Sequence, residues 1–300
     1  MTRVSQFAQQ QLTLRNTLNT QERVQEAQIQ ISTGKKSLNY AGIFQDASRL
    51  VSLEATQTRL SHFVQNNAII ESRLETMDGA MSSVFDSLSD LRKTLVQALN
   101  DTTANDVQVG QIAQNLLDAV TAQLNVKQNG RFLFAGSMTN TQPVTVPVPD
   151  PAVFGVPDAS YYNGDSVALS ARIDETTTIT YGITADRQAF QEAIGAFKAA
   201  IQGANTSDQG LISTALGLTT TALDKIAGFR TEIGSDLQTL DRANQRNSDF
   251  LLFVEGAVSD IENVDVPATV AKLSTEQTIL QASFLTLAQV TRLSLVDFLR

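Results

Sequence analysis

A mainly α-helical protein is what this sequence predicts: a long coiled-coil-like bundle rod drawn from both chain halves, with a small β-containing domain inserted between them. Three features carry the prediction. Each half holds an apolar seam that alternates three- and four-residue steps, the prolines leave both halves uninterrupted, and the apolar period of the middle falls to two. The first seam runs Leu60, Phe63, Asn67, Ile70, Leu74, Met77, Met81, Val84, Leu88, Leu91, Leu95, apolar everywhere except Asn67. This is the spacing of side chains that interlock along a helix–helix contact. At 1.5 Å per residue a helix over about Phe44–Leu99 would extend roughly 80 Å, which implies a rod.

A third helical wall is expected over about Asp106–Asn129, with Val109, Ile112, Leu116, Val120 and Leu124 facing inward, after a break at Asn100-Asp101-Thr102-Thr103. The six prolines are Pro143, Pro147, Pro149, Pro151, Pro157 and Pro267, so the central cluster marks a change of structure. There Val167, Leu169, Ala171, Ile173 and then Ile179, Tyr181, Ile183 alternate as in strands. A unit of that size without disulfides is near the lower limit for independent folding and should lean on the rod. Gln188–Ile201 returns to helix. The second seam follows as Leu223, Ile226, Arg230, Ile233, Leu237, Leu240, Asn244, Asn247, Leu251, Val254, Val258, Ile261.

The expected organisation is an N-terminal assembly helix (1–40), the first half of the rod (41–142), a β-rich insert (143–187), the second half of the rod (188–264) and a C-terminal assembly helix (265–300). Rod core candidates are Leu60, Ile70, Leu74, Met81, Leu88 and Leu91 from the first seam, and Leu223, Ile233, Leu237, Leu251 and Val258 from the second. Asn67, Asn244 and Asn247 allow two readings: they set the register of the seam, or the seam turns to solvent there. Arg230 is expected to carry its charge outward along its apolar stem.

Composition excludes much chemistry. The chain has 300 residues, no Cys, no Trp and a single His, His62, which rules out thiol nucleophiles, disulfides and zinc sites of Cys or His. With 22 basic against 31 acidic residues the formal charge is -9, which disfavours nucleic acid and anionic membrane as partners. No window reaches the roughly 18 apolar residues of a membrane span, and the start lacks the apolar core of a signal peptide. Ser32-Thr33-Gly34-Lys35-Lys36 fails as a phosphate loop, since no Ser or Thr follows the lysines and Ile29 stands where a glycine is needed. His62 reads as a polar surface residue. Asp86, Asp90, Asp101 and Asp106 read as solvated acids on helices. No catalytic constellation, metal site or cofactor site is expected.

The two ends are the informative part. From Ala268 to Arg300 large apolar residues occur nearly all around the helix, a pattern that one neighbouring helix cannot satisfy. The N-terminal arm carries Val4, Phe7, Leu14, Leu18, Val24 and Ile31 among many Gln, Asn and Thr, a thin seam for a marginal helix. Both ends are expected to be loose in the free chain and to become ordered helices when subunits pack together; the alternative is that they pair within one chain as the foot of the bundle. The assembly candidates are Phe7, Leu14 and Leu18 at one end, and Leu280, Phe284, Leu287, Leu295, Phe298 and Leu299 at the other.

On these residues the chain resembles the bacterial flagellin family. The resemblance rests on Ile31-Ser32-Thr33-Gly34-Lys35-Lys36, Asp46-Ala47-Ser48-Arg49, the Leu74–Val84 run, and Ala282-Ser283-Phe284-Leu285-Thr286-Leu287-Ala288 through Ser294-Leu295-Val296-Asp297-Phe298-Leu299. It covers roughly residues 1–140 and 188–300. Gly130-Arg131-Phe132-Leu133-Phe134-Ala135-Gly136-Ser137, with Tyr161-Tyr162-Asn163-Gly164-Asp165, is similar to members found at the hook–filament junction. Phe44-Gln45-Asp46-Ala47 departs from the family, which usually has paired acids and a proline there.

The resemblance implies a non-enzymatic structural subunit, exported unfolded by the flagellar type III apparatus and secreted to the bacterial flagellum. Its implied partners are copies of itself in a ring, a neighbouring hook-associated protein, flagellin, an export chaperone and the export apparatus. The alternatives are a minor flagellin of the filament, or a type III-secreted translocator or adhesin with a coiled-coil body. An enzyme on the insert is a remote third, since the insert holds no convergent polar triad.

Overall fold

The computed structural model describes residues 2–100, 106–146 and 159–298. Among these it is mainly helical: α1 (Thr2–Thr33), α2 (Ala47–Asn100), α3 (Asp106–Leu124), α4 (Gln188–Thr206), α5 (Gln209–Glu262) and α6 (Val266–Phe298). Four short strands are β1 (Lys127–Gln128), β2 (Arg131–Phe132), β3 (Leu169–Arg172) and β4 (Thr178–Tyr181), paired antiparallel as β1–β2 and β3–β4. The chain forms two compact units, one of Met1–Arg59 with Leu251–Arg300 and one of Leu60–Phe250; α2 and α5 each run from one into the other.

In the unit of Leu60–Phe250 the three-four seams face inward. Leu60, Ile70, Leu74, Met81, Leu88 and Leu91 of α2 are buried, as are Leu223 and Ile233 of α5, while Leu237 is half-buried. Phe134, Phe190 and Phe197 are fully buried; Phe134 and Phe190 meet edge-on at 6.4 Å, and Phe190 and Phe229 lie 5.6 Å apart. Aromatic pairs in these arrangements add to what burial alone contributes.

The third helix is shorter than its periodicity predicts. It stops at Leu124 because Asn129 and Gly130 adopt left-handed backbone (φ 50° and 78°), as the two-residue turn of the β1–β2 hairpin requires. Its inward residues also differ from expectation. Ala113 and Leu117 are buried where Ile112 and Leu116 are only half-buried. The helix packs against α4, and a Cβ on Gly110 would lie 3.3 Å from that of Ala204, so this interface takes small residues.

The insert is less regular than a β unit over 143–187. Its hairpin strands have four residues each, and Val144 forms an isolated bridge with Tyr162. Val167 is exposed and Ile183 buried, both outside the strands. The β3–β4 turn explains the short strands. One Asp174 carboxylate oxygen accepts from the amides of Thr176 (2.8 Å) and Thr177 (2.6 Å), an Asx turn that fixes where the hairpin reverses. Pro147, Pro149, Pro151 and Pro157 lie outside the described residues, as do Asp101, Thr102 and Thr103.

That turn is held onto the helices by the polar residues that interrupt the seams. Asn67, fully buried, donates to the Ile173 carbonyl (2.8 Å) and to the side-chain oxygen of Asn244 (2.8 Å). Asn247 donates to the same Ile173 carbonyl (2.9 Å), and Arg246 pairs with Asp174 (2.8 Å). Ile173 itself is fully buried. Asn67 and Asn247 therefore recognise one backbone carbonyl of the insert at one height along α2 and α5, and misaligned partners would leave buried amides unpaired. Arg230 reaches a partly exposed position where its guanidinium meets Asp78 of α2 at 3.1 Å, an acid on the facing helix within its reach.

Burial alone would push the Asp174 carboxyl up, but Arg246 and the Thr176 and Thr177 amides outweigh it and hold it well below the usual carboxylate range. A carboxyl depressed on folding contributes stability that is fully present above its unfolded value, about 3.9, and is lost as pH falls through the lower range. We expect hydrogen-exchange protection at Ile173 and Thr177 to fall on acidification below about pH 4, and the fall to shrink in Arg246→Met. Identical acid profiles for parent and variant would contradict this.

Candidate assembly surface

The unit of Met1–Arg59 with Leu251–Arg300 is built on the antiparallel pairing of α1 with α6. A clasp aligns them. Gly34 ends α1 in left-handed backbone (φ 71°), where glycine carries no side-chain penalty. The Lys36 amide then donates to the Glu262 carbonyl (2.7 Å) and the Val264 amide to the Gly34 carbonyl (2.9 Å). Lys35 adds an ion pair to Glu262 at 3.0 Å. Asp265 caps α6 by accepting from the Ala268 amide (3.0 Å), and Pro267 falls in the first turn, where its missing N–H goes unneeded. The residues of the rejected phosphate loop thus form a helix stop and a clasp.

The contact between α1 and α6 is made by residues that an apolar search passes over. Thr17 (2% exposed), Thr20, Val24 and Ala27 are buried, and Thr13 and Ile31 half-buried, at four- and three-residue steps. The two buried threonine hydroxyls bond their own helix, Thr17 to the Thr13 carbonyl and Thr20 to that of Asn16, both at 2.9 Å. The burial of these hydroxyls is thereby compensated. Arg23 closes the seam by pairing with Glu276 of α6 (3.0 Å) and donating to the Thr20 hydroxyl. On α6 the matching positions are Thr269, Leu273, Glu276, Leu280, Ser283 and Leu287, buried or half-buried.

The large aliphatics of α1 consequently point elsewhere. Leu14 (48% exposed), Leu18 (51%) and Ile29 lie about 100° to 160° around the helix from the threonine seam at 3.6 residues per turn. On α6, Leu280 and Leu287 belong to the contact with α1, Phe284 stands half-exposed on its flank, and Ile279 and Leu285 face away. The sequence-predicted assembly set therefore divides: Leu14, Leu18 and Phe284 are exposed, whereas Leu280 and Leu287 are partly covered within the chain. Leu299 lies outside the described residues, as do the side chains of Phe7, Leu295 and Phe298. The rod candidates Leu251 and Val258 are half-buried in this unit. The ends pair within one chain, the second of the two alternatives, and leave apolar faces uncovered.

Nothing in the described residues suggests chemistry. No cluster of His, Cys, Asp or Glu there could hold a metal ion, and no helix there is long and apolar enough to cross a membrane. His62 is exposed. What the unit presents is a surface.

Comparison with known proteins accounts for both ends. Residues 4–139 match the bacterial flagellin N-terminal helical region, and residues 216–299 match the bacterial flagellin C-terminal helical region. The chain is similar to flagellar hook-associated protein 3 of Escherichia coli, at 24% identity across 95% of this chain and 96% of that protein. The protein of the same name in Salmonella typhimurium is 23% identical, across 90% and 91%. Among solved structures, FlgL of Bacillus cereus shares the fold with a TM-score of 0.56 at 18% identity, covering 70% of this chain and 98% of that one. Flagellar hook-associated protein-3 of Legionella pneumophila does so with a TM-score of 0.53 at 16% identity, covering 74% and 99%. With its two terminal regions matched and a mainly helical fold shared with these structures, the chain belongs to the bacterial flagellin family.

Proposed function

We propose that this chain is a structural subunit of the bacterial flagellum that joins hook to filament, is exported by the flagellar type III system, and assembles through its terminal helices. The observation that carries this reading is the inverted α1, which buries threonines against its own chain and turns leucines outward. A helix serving only its own fold would place leucine in the seam, because each large aliphatic left in water forgoes about 1.5–3 kcal/mol relative to burial. The outward leucines are covered when copies pack side by side. The hook-associated names of the full-length relatives favour the junction over the filament proper. In this reading the partners are further copies in a ring, an adjoining hook-associated protein, flagellin, and the chaperone and export machinery that deliver the chain. The chain acts by contact, without catalysis.

Deletion of the gene tests the reading. Cells should keep hooks, lose filaments and release monomeric flagellin into the medium, and re-expression should restore filaments. Filaments of shortened but substantial length in the deletion strain would instead identify a minor flagellin.

A further inference from the structure

A second surface of the same unit is shaped to receive that leucine stripe. On α5, Leu252 (71% exposed) and Phe253 (67%) stand beside Gly256, and the three line a groove of about 540 Å³. A glycine inside a helix costs about 1 kcal/mol relative to alanine. Here nothing within the chain demands it, since a Cβ at Gly256 would meet no atom within 4 Å. The glycine leaves the groove open, with large apolar side chains beside it. Its rim carries both signs of charge, Lys36 and Arg49 against Asp46 and Asp260, and none of these side chains forms an ion pair among the described residues.

The outward stripe of α1 has the complementary character. Leu14 and Leu18 are followed by Glu22 and flanked by Arg15, all exposed on one face at 3.6 residues per turn. Stripe and groove together offer apolar contact plus charges of either sign that can be matched. Matching matters between copies that each carry a formal charge of -9, because unpaired like charges would hold them apart.

We propose that the α1 stripe of one copy docks in the Leu252–Gly256 groove of a second copy. This rests on the assembly reading above and names the contact it uses. Stripe and groove are different surfaces of one chain, so the contact is head-to-tail, the kind that propagates into rings or helical arrays. Glycine at position 256 lets the incoming helix approach the α5 backbone closely.

The absence of cysteine from the chain makes the test clean. Leu18→Cys and Gly256→Cys chains, full length, are co-expressed in a strain lacking the parent gene and oxidised on the assembled appendage. Disulfide-linked dimers containing one of each are expected, since facing residues of packed helices fall within bonding reach. Gly256→Leu, whose Cβ would meet no atom within 4 Å and whose longer side chain projects into the groove, should remain a folded monomer by circular dichroism but lose incorporation. Failure of the cross-link, or normal incorporation of Gly256→Leu, overturns the proposal. If Leu14→Asp with Leu18→Asp blocks assembly in that event, the groove alone is refuted and the assembly reading stands. If that double variant incorporates normally, both fall.

Discussion

Replacing Leu14 and Leu18 together with aspartate is expected to abolish incorporation into the flagellum while leaving the dilute monomer's unfolding free energy within about 0.5 kcal/mol of the parent. Both side chains are about half exposed and lie on the side of α1 away from the threonine seam. The exposed charges therefore add no buried cost in the monomer. In an assembly that covers this face, two carboxylates would be desolvated without partners, an effect far larger than the lost apolar contact. The comparison is made by circular dichroism and urea unfolding on purified protein, beside recovery of the variant in sheared flagella. Normal recovery would mean that α1's outward face touches nothing. Phe284→Asp with Leu287→Asp is the less selective pair, because Leu287 is half-buried against α1 and its loss disturbs the monomer too.

The second large effect is expected at Asn67. Asn67→Asp removes both amide donors and sets a carboxylate against two acceptors, the Ile173 carbonyl and the Asn244 side-chain oxygen, at a fully buried position. Leaving a buried charge without a partner costs about 3–5 kcal/mol. The introduced carboxyl should have a folded pKa raised above its unfolded value of about 3.9. Its neutral form is then favoured by folding, so the variant's deficit should be smallest below that pH and grow as pH rises through the folded value. Urea unfolding at several pH values checks both magnitude and slope. Hydrogen exchange should show the loss centred on Ile173–Thr178 before the rest of the unit. A pH-independent deficit would indicate that the position is wetter than its geometry implies.

Fold class was legible because the long seams of α2 and α5 use large apolar residues at coiled-coil spacing, the one pattern that few other structures produce. The details that escaped share a physical cause. Thr13, Thr17, Thr20 and Ala27 keep the same spacing as Leu60–Leu95, yet hydrophobicity does not mark them. The hydroxyls of Thr17 and Thr20 are satisfied within α1, so polarity does not prevent burial. Leu14 and Leu18 stand exposed, as an assembly face requires, but Leu280 and Leu287 cannot be separated from Phe284 without knowing which face α1 occupies. The end of α3 was carried past Leu124 because the apolar period outweighed the Asn129-Gly130 turn signal that stood in the same stretch. The roles of Asn67 and Asn247 depended on a carbonyl, Ile173, more than a hundred residues away from the first of them, and no local pattern encodes such a pairing.

The central claim is that the outward leucine face of α1 is wet in the free chain and covered between copies. A single Leu18→Cys substitution in this cysteine-free chain measures it directly, through its reaction rate with a maleimide on dilute monomer and on intact flagella. The account predicts rapid labelling of the monomer and strong protection in the assembled structure; equal rates in the two states would contradict it.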